Sequence, residues 1–139
     1  MKITSVIARF LLGLIFLVFG LNGFFHFLSM PAPTGVAGQF MGALFVSHFL
    51  IVIFVIQLIG AVLLLVNRYV PLALALLAPI IVNILLFHLL MAPSGIPPAI
   101  VVTVLWVVVF LNVRTAFGGL LRRIPAQTCD KQHNGETYA

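Results

Sequence analysis

Negative charge is almost absent from this sequence: its two acidic residues, Asp130 and Glu136, stand close to the C-terminus, and none occurs between Met1 and Gln127. General acid or base chemistry in that long stretch falls to histidine, without a carboxylate to couple to it. Cysteine is nearly absent too. The single residue, Cys129, has no partner for a Cys-x-x-Cys pair, which excludes a self-contained thiol oxidoreductase. A cytoplasmic, reducing setting for the tail makes it a bystander. No phosphate-binding loop, dinucleotide fingerprint or nucleophile elbow is present. Charge of either sign is scarce, at 6% of the residues, where an average soluble domain carries about 25%.

What fills the chain instead is apolar: 63% of 139 residues. A soluble domain this short keeps too large a share of its chain at the surface to bury so much, so the composition is that of an integral membrane protein. The net charge of +5 could serve nucleic-acid binding only if the basic residues made one face. They are scattered, and no nucleic-acid partner is expected; the partner is the lipid bilayer.

Four long apolar segments follow one another, and each has the roughly 20 residues that cross a hydrocarbon core. The first runs from Ile3 to Leu28 and is stopped by Pro31 and Pro33, which cannot continue a helix. It is too long and uninterrupted for a signal peptide. From Val36 to Val46, Gly38, Gln39, Gly42 and Ser47 dilute the apolar pattern, and a short interfacial helix is expected. The second span covers Phe45 to Val66, the third Pro71 to Met91, and the fourth Pro98 to Phe117. The fold class is therefore all-α: a four-transmembrane-helix bundle with a short interfacial helix between helices one and two. Residues 1–117 form the transmembrane domain and 118–139 a polar cytoplasmic tail. The valine-rich fourth span faces lipid or another subunit, and a homodimer through it is expected.

Basic residues set the orientation. Lys2, Arg9, Arg68, Arg114, Arg122, Arg123 and Lys131 flank one side of the four spans, whereas the connections 29–46 and 92–98 carry none. Because lysine and arginine are retained on the cytoplasmic side, both termini are expected there, with Arg9 snorkelling back to the interface.

The candidate site lies at the other side. His26, His48 and His88 all fall within about one turn of the outer boundary, and imidazole ligates transition metals and haem and binds or releases a proton near neutral pH. Asn22, Gln57 and Asn83 lie deeper, where polar groups face protein or a cavity rather than lipid. At 100° per residue Asn22 and His26 share a face, Gly13 and Gly20 lie on nearly the opposite one, and Asn83 and His88 diverge by about 140°. Two layers result: His26 and His88 outermost, with Asn22, Gln57 and Asn83 beneath. These five are the expected ligand-binding residues, and His26, His88 and the weaker His48 the candidate metal ligands. The rival reading makes them interhelical packing groups.

The runs Ala8-Arg9-Phe10-Leu-Leu-Gly13-Leu-Ile-Phe-Leu-Val-Phe-Gly20-Leu-Asn22-Gly23 and Gln57-Leu-Ile-Gly60-Ala-Val-Leu-Leu-Leu-Val resemble the DoxX family of small bacterial membrane proteins. The resemblance extends from Ile3 to Phe117 through the four-span pattern and the early arginine. It implies a multi-pass protein of the bacterial inner membrane with cytoplasmic termini, and a membrane subunit of a redox assembly whose outer-side pocket takes a quinone, a haem or a metal ion. A redox-enzyme partner is implied with it. Many relatives carry a glutamate in helix two where this chain has Gln57, which removes a carboxylate relay. The alternatives are an assembly factor whose polar core is structural and, third, a small-solute carrier, for which four helices without inverted repeats leave little room.

Overall fold

The computed structural model describes residues 2–121. Five α-helices are formed within them: α1 (Ile3–Phe25), α2 (Gly35–Val46), α3 (Phe49–Leu65), α4 (Val70–Leu90) and α5 (Ile96–Leu121). The helices α1, α4 and α5 are each long and apolar enough to cross a membrane, and α2 with α3 makes a fourth candidate span, bent by 84° between them. The chain is thus a small multi-span helical membrane protein whose apolar spans suit a lipid bilayer.

The four long helices close a ring. Helix α1 packs on α3 and α5, and α4 packs on the same two. Glycine lets α1 and α3 approach closely: Gly13 stands against Leu65 and the Ala61 carbonyl, Gly20 against Leu58, and Gly23 against the Phe54 ring. The order of these contacts, rising along α1 while falling along α3, makes the pair antiparallel. Gly60 does the same for α3 against Leu77 of α4. Inside the ring lie Leu12, Phe16, Leu64, Leu74, Leu77 and Val109, all essentially without exposure.

Junctions explain where the helices stop. His26 takes a left-handed conformation (φ 51°) and ends α1, its N–H donating to the Asn22 carbonyl. His48, also left-handed (φ 60°), stands between α2 and α3. The α3–α4 turn uses Asn67 and Tyr69 in the same region. At the α4–α5 turn, Pro93–Gly95 form one 3₁₀ turn, and Pro97 and Pro98 then occupy the first turn of α5, where a missing N–H costs nothing.

Three boundaries depart from the sequence expectation. Span one ends at Phe25 rather than Leu28, because the chain turns at His26. The second span is split: α3 holds only 17 residues, and α2, the expected interfacial helix, meets it at a sharp angle instead of running into it. Helix α5 continues past Phe117 to Leu121, since the two glycines at 118 and 119 weaken a helix by only about 1 kcal/mol each. The remainder of the expected tail lies outside the described residues.

Candidate functional site

Asn22 is buried near the end of α1 and works on its own backbone. Its Oδ1 accepts from the Leu28 N–H at 2.6 Å, while its carbonyl accepts from His26. The side chain thereby satisfies a donor just beyond the helix end and turns the chain. Gln57, buried on α3, donates from Nε2 to the Phe16 carbonyl of α1 at 3.2 Å. It crosses to a backbone already engaged in a helix, which ties α3 to α1 beside the Gly20 contact.

The histidines part company. His26 is exposed, and its left-handed backbone takes it off the helical face that the spacing of Asn22 and His26 predicts. His48 is exposed at the α2–α3 corner. His88 is half-buried near the end of α4; its Nδ1 lies 3.1 Å from the Ala92 carbonyl, its ring meets Phe87 edge-on, and Gly95 packs against it. Among the described residues no group of three or more His, Cys, Asp or Glu is placed to hold one metal ion. Asn83 is exposed on α4, between Val82 and Ile84, and so lies on the outside of the bundle rather than in a deeper polar layer. Of the five expected ligand-binding residues, Asn22 and Gln57 are in the interior, His88 is at its margin, and His26 and Asn83 face outward.

Three further polar side chains in the helices also reach backbone. Trp106 Nε1 donates to the Leu74 carbonyl at 3.1 Å, beside the Ala75 carbonyl that Pro79 deprives of its helical donor. Thr103 donates to Ala99 and Asn112 to Val108, each one turn back. A recess of about 260 Å³ opens at the α3–α4 turn, lined by Tyr69, Pro71, Leu72, Ala75 and Phe117 and almost wholly apolar.

Two polar residues that sequence reading did not assign to the interior are there. Arg9 is 4% exposed and Ser5 1%, so both lie within the bundle. Both lie on the stripe of α1 that also buries Ala8, Leu12, Gly13 and Phe16. The signal was legible: Arg9 precedes Gly13 by four residues, and the close-packing glycine face is therefore the arginine's face too. Comparison with protein-family models, curated proteins and solved structures found no match.

Proposed function

We propose that this chain is a non-autonomous membrane subunit, a bundle that acts by packing against a partner within the bilayer while its polar interior specifies its own fold. The observation that carries the reading is Asn83. It stands thirteen residues into a 21-residue helix on an exposed face, and an amide at that depth meets hydrocarbon unless another chain supplies its hydrogen bonds. Asn22 and Gln57 support the second half, because both amides are engaged with the chain's own backbone. The resemblance of α1 to DoxX proteins adds a redox-linked assembly as the setting and the bacterial inner membrane, with both termini cytoplasmic, as the location. In this reading His26 and His88 shape turns rather than hold a quinone, a haem or a metal ion.

The test is association of the full chain, solubilised in mild detergent and followed by native mass spectrometry, with bound quinone, haem and metal measured in the same preparation. Wild type should run as a dimer or with a second membrane protein. Asn83→Leu should lower the association constant about three- to tenfold, the effect of losing one interhelical hydrogen bond of about 0.6–1.4 kcal/mol. A monomer in both forms would overturn the reading. A stoichiometric quinone, haem or metal lost in both His26→Ala and His88→Ala would replace it with the ligand pocket.

A further inference from the structure

Arg9 is a charge inside the bundle with no carboxylate among the described residues to answer it. Arg9 as a residue is almost wholly buried, and its Nε and Nη1 are buried without a hydrogen-bond partner among the described residues. Ser5, one turn earlier on the same face, is buried as well, and its hydroxyl is also without a partner. The nearest aromatic support is the Phe10 ring, whose centroid lies 5.0 Å from the Arg9 guanidinium carbon. A cation–π contact of that kind contributes about 0.5–2 kcal/mol, well short of the several kcal/mol that removing an ion from water costs. A guanidinium keeps its charge in proteins. A counter-charge is required, and none of the first 129 residues can supply one.

We propose that Ser5 and Arg9 form a binding site for a phosphate-class oxyanion, entered from the end of the bundle where α1 begins. The chemistry fits on three counts. A guanidinium presents planar N–H donors that match tetrahedral oxyanions. The Ser5 hydroxyl adds a neutral donor on the same face, one helical turn away. The same end of the ring carries Lys2 and Arg68, the latter stacked 6.0 Å from its neighbour Tyr69, which raises the local concentration of anions. Arg9 lies about 9 Å along α1 from Ile3, roughly two turns inside the helix end, so the oxyanion is drawn in past that end rather than met at the headgroup level. The oxyanion is either the phosphodiester of an anionic phospholipid or a soluble phosphate, and the site is independent of the partner surface around Asn83.

Two probes separate the sources. The full chain is reconstituted in phosphatidylcholine vesicles containing spin-labelled phosphatidylglycerol, and separately titrated with inorganic phosphate in a neutral detergent while its thermal unfolding is followed. Arg9→Gln and Ser5→Ala are compared with Arg114→Gln, an exposed arginine on α5. An immobilised phosphatidylglycerol fraction that falls about tenfold in affinity in Arg9→Gln, less in Ser5→Ala and not in Arg114→Gln supports the site with a lipid occupant. The same ranking in the phosphate titration supports it with a soluble one. If Arg9→Gln does not fold, Ser5→Ala and Arg9→Lys carry the comparison, each expected to weaken binding several-fold. The proposal is overturned if wild type and these variants bind both probes equally. It is equally overturned if Asp130→Asn with Glu136→Gln destabilises the protein as much as Arg9→Gln while neither probe binds, since the counter-charge is then internal.

Discussion

Single residues in this bundle do their work through backbone. His26 adopts φ 51° and ψ 40°, a conformation that glycine enters freely and a β-branched residue resists by about 1–2 kcal/mol. His26→Gly should therefore match or exceed wild type in thermal stability, whereas His26→Val should lose about 1–2 kcal/mol, read from unfolding in detergent. A ligand role would reverse the first outcome for any bound group. The sequence disclosed that polar atoms were concentrated at Asn22, Gln57 and His88, but not that their partners are main-chain groups. A carbonyl such as Phe16 O carries no sequence signature, and the left-handed turn at His26 breaks the 100° arithmetic that aligned it with Asn22. The burial of Arg9 went unread for a different reason: an arginine near a span end commonly reaches for the interface, and only its register with Gly13 pointed to the packed face.

At the scale of helices, glycine decides how closely they sit. A methyl group added at Gly23 would run into the Phe54 ring, which is held edge-on against Phe24 at 6.0 Å between centroids and has little freedom to move aside. At Gly42, in α2, nothing lies within 4 Å. Gly23→Ala should accordingly cost about 1–3 kcal/mol through forced separation of α1 and α3, and Gly42→Ala should add about 0.5–1 kcal/mol by helix propensity alone. Paired unfolding measurements decide both; equal effects would mean that the α1–α3 contact is looser than described. The number and order of helices were legible because apolar runs, prolines and the diluted stretch before Ser47 mark them directly. The corner at His48 was not, since Ser47 and His48 are only a two-residue polar step in the mostly apolar stretch 45–66, and such a step does not reveal an 84° change of direction between α2 and α3.

For the molecule as a whole, the ring of four helices is uneven. Helix α3 has 17 residues beside 23 in α1, 21 in α4 and 26 in α5. At 1.5 Å per residue it reaches about 25 Å, while its neighbours reach about 31–39 Å and a typical hydrocarbon core is about 30 Å thick. One flank of the protein is thus too short for the membrane that the other flanks fit. Lipids beside α3 must compress or the bundle must tilt, at fractions of a kcal/mol per ångström, and α2, turned sideways at the top of that flank, sits where the dimple would form. Thermal stability in bilayers of dimyristoleoyl, dioleoyl and dierucoyl phosphatidylcholine should fall as the acyl chains lengthen, and a flat response would show that the short flank meets protein instead of lipid. A small protein built this way would partition toward thinner membranes and gather with other thin-belted proteins without any specific contact between them.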